Sequence, residues 1–290
     1  MPRARKRFGQ HFLEPAWVEK VVRAIDPRHE DTFIEIGPGR GALTRPLAAR
    51  AKRVFAYEID RDLAAELRTE AIPNVTVVEG DVIETLTARQ LAPSPEPLTE
   101  MQLAPSPQPL SEMQLAPSPE PLRVAGNLPY NAASPIMFKL ADLFAAGVPI
   151  GDATLMLQRE VADRLVAAPG TREYGVLSVL LQHVATIDVL LKLPAGAFRP
   201  APNVLSALVR LRFHPPRPAV ASPQAFTGIV RAVFTRRRKT LANALHAVDT
   251  SEQRSFGPVL EEAGLDGRRR PETLTLEEFG RLADAYAAPR

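Results

Sequence analysis

The chain has no cysteine, which removes disulfides, thiolate nucleophiles and zinc–thiolate sites from consideration. It also lacks any apolar run near the roughly 18 residues that signal a membrane-spanning helix. Its basic N-terminus is not followed by the apolar segment of a secretory signal. These absences predict a cytoplasmic protein with no membrane partner. Aromatics make up only 6% of residues, with a single tryptophan. An aromatic set beside a polar motif therefore carries weight.

At 290 residues the chain has room for a large domain and a smaller one. Proline is plentiful: nine of the 29 prolines fall in residues 91–122, a tandem repeat of period 12 that begins Leu91-Ala92-Pro93-Ser94-Pro95-Glu96-Pro97. That density excludes an interior helix or central strand and predicts an extended, inserted surface loop. Loop entropy costs only about 0.6 kcal/mol per doubling of length, so the insert needs no function to be tolerated. It carries four glutamates and no Lys or Arg, which leaves the remainder at +7 against +3 for the whole chain. The basic residues cluster at Arg3, Arg5, Lys6 and Arg7, at Arg236, Arg237, Arg238 and Lys239, and at Arg268 to Arg270. Any one cluster reads equally well as solvated surface; three together point to a polyanion, most often nucleic acid.

Along the chain, the apolar patterns predict strands over 32–36, 53–57, 75–78, 122–125, 153–157, 185–193 and 206–213. Helices are expected over 16–24, 42–49, 134–144, 159–167 and 176–182. Strands alternating with helices, closed by an antiparallel pair, describe a mainly parallel α/β sheet of Rossmann type. After Pro215-Pro216-Arg217-Pro218 the chain reads helical, including 240–245. The expected division is a sheet domain at 1–213 and a small helical domain with a basic junction at 214–290.

The first strand runs into Glu35-Ile36-Gly37-Pro38-Gly39-Arg40-Gly41-Ala42. Its glycines let backbone pass close to a ligand at a helix N-terminus. Glu58 ends the second strand, placed to accept hydrogen bonds from a ribose. The glycines alone fit a nicotinamide dinucleotide as well as S-adenosylmethionine (SAM). Two features favour SAM: Glu35 suits a cationic methionine end better than a pyrophosphate, and Asp81 after the third strand suits an adenine amino group.

The fourth strand ends in Gly126-Asn127-Leu128-Pro129-Tyr130, a rigid mouth with a hydrogen-bond acceptor and a stacking surface for a planar base. Phe198, before the stiff Pro200-Ala201-Pro202 loop, is a candidate second wall or else core packing. The basic arm at 1–13, ending Phe8-Gly9-Gln10-His11-Phe12-Leu13, could close over a ligand.

Taken in order, seven motifs resemble the KsgA-type small-subunit ribosomal RNA adenine N6,N6-dimethyltransferases. They are Phe8 to Leu13, Glu35 to Gly39, Gly80-Asp81, Asn127 to Tyr130, Gln158-Arg159-Glu160-Val161-Ala162, Tyr174-Gly175 and Arg237-Arg238-Lys239-Thr240-Leu241. The resemblance implies a SAM-dependent methyltransferase fold with a small C-terminal all-helical domain. It implies dimethylation of two adjacent adenosines near the 3′ end of 16S rRNA in the small ribosomal subunit during assembly; a monomer is expected. His11, Leu13, Gly37, Gly39, Glu58, Asp81 and Asn127 would hold SAM, with S-adenosylhomocysteine as product. Asn127, Leu128, Pro129, Tyr130 and Phe198 would hold the base, and Arg5, Lys6, Arg7 and the 236–239 cluster would bind RNA. Asn203 and Leu205 stand where the family usually has Lys and Asp, which puts a local charge contact in doubt. The repeat is foreign to the family pattern. The runners-up are an erythromycin-resistance methyltransferase acting on large-subunit rRNA, which usually has Ile where this chain has Leu128, and a non-catalytic assembly factor.

Overall fold

A computed structural model describes residues 11–87, 121–130, 132–248 and 256–288. The arm at 1–10, with Arg5, Lys6 and Arg7, and the repeat at 91–120 lie outside the described residues. The chain divides into two units: residues 1–159 with 188–213, and residues 160–187 with 214–290.

In chain order the first unit holds β1 (Phe12–Leu13), α1 (Pro15–Ile25), β2 (Thr32–Ile36), α2 (Thr44–Ala48), β3 (Arg53–Glu58) and α3 (Arg61–Thr69). Then come β4 (Val75–Glu79), α4 (Val82–Thr85), β5 (Leu122–Asn127), α5 (Ala133–Ala145) and β6 (Ile150–Gln158). After α6 (Arg159–Leu165) and α7 (Val176–Gln182) follow β7 (Ala185–Leu193), β8 (Phe198–Arg199) and β9 (Ser206–Phe213). The seven-stranded sheet has the order β4-β3-β2-β5-β6-β9-β7. β4 through β6 run parallel, and β9 returns antiparallel to β6. From β2 the chain steps outward to β3 and β4, then crosses back to β5 on the other side. That reversal opens a crevice at the carboxyl ends of β2 and β5, where open α/β sheets bind ligands.

The register there depends on Gly126, which pairs with Ile36. A Cβ at this position would sit 2.5 Å from the Ile36 carbonyl oxygen, so only glycine lets β5 lie this close to β2. α1 starts at Pro15, whose ring suits a first helical turn, and buries Val21, Val22 and Ile25 against the sheet with Phe33, Val54 and Leu208. α3 was not foreseen from the sequence. Its cap is local: Asp60 accepts from the Asp62 N–H at 3.1 Å, and Leu63, Ala64 and Leu67 are buried. The helix expected at 42–49 is shorter, because Gly41 to Leu43 form a turn before it.

At the opposite end of the strands Arg123 bridges Asp31 (2.6 Å) and Asp152 (2.9 Å) and donates to the Ile25 and Asp26 carbonyls that close α1. Arg210 adds bonds to Ala24 and Ile25. Each arginine thereby satisfies helix-end carbonyls that would otherwise be left without a partner.

The second unit takes in α6 and α7 and, after residue 213, α8 (Pro223–Thr235), α9 (Leu241–Leu245), α10 (Gly257–Glu262) and α11 (Leu276–Ala287). Its core joins Phe226, Ile229, Val230 and Val233 to Leu241, Val259, Phe279 and Leu282. Tyr174 and Val179 are buried in that same core, and the Tyr174 hydroxyl donates to Leu274 O at 2.9 Å. Residues 160–187, assigned from sequence to the first domain, thus pack with the helices after residue 213. Among the described residues no helix is long and apolar enough to cross a membrane.

Candidate active site

The strand ends meet around a cleft that is open to solvent. Its lining includes His11, Phe12, Leu13, Glu35, Gly37, Gly39, Glu58, Asp81 and Asn127 to Tyr130. Every SAM residue expected from the sequence is therefore on one wall or another, as are four of the five base-holding residues.

The turn after β2 holds Gly37 at φ 68°, a left-handed conformation that favours glycine. A Cβ there would come within 3.4 Å of the Asn127 backbone carbonyl, so the glycine loop and the end of β5 abut. Glu58 uses both carboxylate oxygens: one accepts from the Gly39 N–H and the other from the Asp60 N–H, each at 2.9 Å. Burial raises its pKa, and those two N–H groups pull it partly back. Asp81 caps α4 through the Ile83 N–H at 2.9 Å.

Glu35 is the most unusual group in the cleft. It is 1% exposed, and its Oε2 is buried without a hydrogen-bond partner. Burial pushes its carboxyl up to about 8; the nearby Thr44 hydroxyl offsets part of this, and the charge of Glu58 adds to it. An orphaned buried carboxylate oxygen fits a cation.

At the base side, Asn127 Nδ2 donates to the His11 carbonyl at 2.7 Å. The Tyr130 hydroxyl lies 3.1 Å from Ser206 Oγ, and its ring stacks on His11 with centroids 5.5 Å apart. Leu128 is buried, and its N–H donates to Met156 O at 3.3 Å.

Phe198 is not a wall of the cleft. It is 3% exposed and packs among Val21, Leu47 and Leu193 in the core. The reason is its pairing with Leu13 in the β1–β8 ribbon, which turns Phe198 inward and leaves Arg199 outside. Arg237 is half-buried and engaged by its neighbours. It donates to Thr171 O at 3.1 Å and lies 3.7 Å from a Glu272 carboxylate oxygen, so it works inside the second unit. Arg236, Arg238 and Lys239 are exposed. Residues the sequence reading passed over include Ser206, which anchors Tyr130, and Ile59, which is 43% exposed and lines the cleft beside Glu58. An apolar residue directly after a strand-end acid was the available signal for Ile59; Ser206 offered none.

The sequence matches the ribosomal RNA adenine dimethylase family over residues 1–283. Ribosomal RNA small subunit methyltransferase A of Acinetobacter baylyi is 40% identical over 97% of this chain and 92% of its own length. The protein of that name from Bordetella avium is 40% identical over 98% of this chain and 96% of its own length. Among solved structures, a dimethyladenosine transferase from Plasmodium falciparum shares the fold with a TM-score of 0.70 at 24% identity, covering 94% of this chain and 96% of that one. The 23S rRNA methyltransferase ErmE aligns with a TM-score of 0.60 at 27% identity, covering 94% of this chain and 98% of that one.

Proposed function

The chain belongs to the ribosomal RNA adenine dimethylase family and is a SAM-dependent rRNA adenine dimethyltransferase, and on that premise we propose that its substrate is small-subunit 16S rRNA. The reaction assigned is dimethylation at N6 of two adjacent adenosines near the 3′ end, during subunit assembly. The carrying observation is that the Asn127 backbone abuts the Gly37 turn, so base mouth and cofactor cradle are one surface. The small-subunit names of relatives near 40% identity favour this substrate over large-subunit rRNA.

SAM supplies, when bound, an electrophilic methyl group on a sulfonium. The residues present fit it: Glu35 Oε2 for a cationic end, Glu58 for sugar hydroxyls, Asp81 for the purine edge and Ile59 for an apolar face. The rest of the work falls to the chain. An adenine N6 lone pair is delocalised into the ring and is a poor nucleophile. Holding its hydrogens on the Asn127 Oδ1 and the Leu128 carbonyl would direct that lone pair out of the ring plane, with no titrating base needed. Pro129 stiffens the turn. Tyr130, its hydroxyl fixed by Ser206, offers a stacking surface to a base taken out of its stack. Such stacking is worth about 1–3 kcal/mol. Exposed Arg236, Arg238 and Lys239 in the second unit serve RNA phosphates.

A ribosomal RNA substrate supports a cytoplasmic location for the enzyme. The test is Asn127→Ala assayed on immature small subunits. Methyl transfer should be nearly abolished with RNA binding kept; near-normal turnover would sink the assignment.

A further inference from the structure

Three contacts converge on His11. Its carbonyl accepts from Asn127 Nδ2 at 2.7 Å, its Nδ1 lies 2.7 Å from the Pro200 carbonyl, and its ring stacks on Tyr130. The chain continues into β1, which pairs with β8, and the Glu14 N–H donates to Ala197 O at 2.8 Å. Residues 11–14 form a strap sewn along residues 197–200. The same strap reaches the glycine loop: the Arg40 guanidinium sits 4.6 Å over the Phe12 ring, and a Cβ on Gly39 would lie 3.2 Å from it.

A side-chain amide has one accepting end and one donating end. A backbone carbonyl takes only a donor, so His11 selects the orientation in which the Asn127 NH2 faces the strap and Oδ1 is left to the cleft. In the reverse orientation Oδ1 would oppose the His11 carbonyl, and the NH2 would meet the substrate amine, donor against donor. We infer that the strap 11–14 is a positioning element for methyl transfer, its His11 carbonyl setting the Asn127 amide with the acceptor toward the substrate amine. The identity of that amine rests on the rRNA adenine reading above. Since Phe12 also packs on the glycine loop, a ligand that steadies the strap from the cofactor side raises the population of correctly turned amide.

Hydrogen exchange on the full-length chain tests this. Asn127→Asp keeps an oxygen for the cleft but has no N–H for His11; Asn127→Ala removes both ends. Each should speed exchange of the Glu14 N–H by about fivefold to tenfold, the effect of losing one ordinary hydrogen bond. The Gly37 N–H, bonded to Tyr57 O at 2.9 Å, should exchange as in the parent and report an intact sheet. S-adenosylhomocysteine should slow Glu14 exchange in the parent by a larger factor than in either variant. In turnover assays Asn127→Asp should lower kcat and leave the RNA KM unchanged, despite retaining a cleft oxygen. Parent-like Glu14 exchange in both variants overturns the inference. Exchange without RNA is independent of the substrate. A chain inactive on small-subunit rRNA, yet coupled in this way, would refute the substrate assignment and leave the strap standing.

Discussion

Gly39 donates its backbone N–H to the Glu58 carboxylate at 2.9 Å, so the glycine loop after β2 is closed onto the acid that ends β3. The second oxygen of Glu58 is held by the Asp60 N–H. An acid fixed at both oxygens is held in one orientation.

Glu58→Ala should therefore weaken SAM binding by two routes, losing the acceptor and loosening the loop. A drop of about tenfold to a hundredfold in affinity is expected, equivalent to one or two hydrogen bonds to a charged group. Titration calorimetry reads it directly, and an unchanged Kd would remove Glu58 from the site.

If the cationic end of SAM meets Glu35 as proposed, binding should be proton-linked. With its carboxyl raised from 4.5 to about 8 by burial, the free chain carries this proton at pH 7. A cationic ligand group at Oε2 favours the ionised form and expels the proton. Calorimetry at pH 7 in buffers of different ionisation enthalpy should show close to one proton released, and affinity should rise with pH toward about 8. Glu35→Gln should show no release. For the free chain the sign runs the other way: the contribution of neutral Glu35 to stability is complete below 4.5 and is lost as pH rises through about 8.

Phe198 should behave as core. Phe198→Ala is expected to destabilise the chain by about 3–5 kcal/mol in denaturant unfolding. Phe198→Leu should cost less than about 1.5 kcal/mol and leave kcat near the parent value. A stable Leu variant with strongly reduced kcat would restore Phe198 as a base wall.

The basic junction should split into two kinds of residue. Arg238→Ala or Lys239→Ala should each flatten the dependence of log affinity for rRNA on log salt by about 0.7 to 0.9, with melting temperature unchanged. Arg237→Ala should lower the melting temperature instead, since its guanidinium serves Thr171 and Glu272. A full change in salt slope for Arg237→Ala would contradict that division.

The sequence by itself determined the parallel sheet, the glycine turn at Gly37, and acids or an amide at the strand ends Glu58, Asp81 and Asn127. Those signals are local: apolar runs of strand length, a glycine pair, a polar residue directly after each run. Sequence alone also singled out Gly126-Asn127-Leu128-Pro129-Tyr130, of which Asn127 to Tyr130 line the cleft. Only the tertiary structure decided which partners complete it. The His11 carbonyl lies 116 residues from Asn127, and Ser206 lies 76 residues from Tyr130; no periodicity encodes such pairs. Phe198 turned inward because its two-residue strand takes its facing from the pairing with β1, and a segment that short has no alternation to read. Arg237 likewise finds its partners, Thr171 and Glu272, only through packing. Charge shows in sequence, but whether a carboxylate such as Glu272 stands beside it is settled by packing.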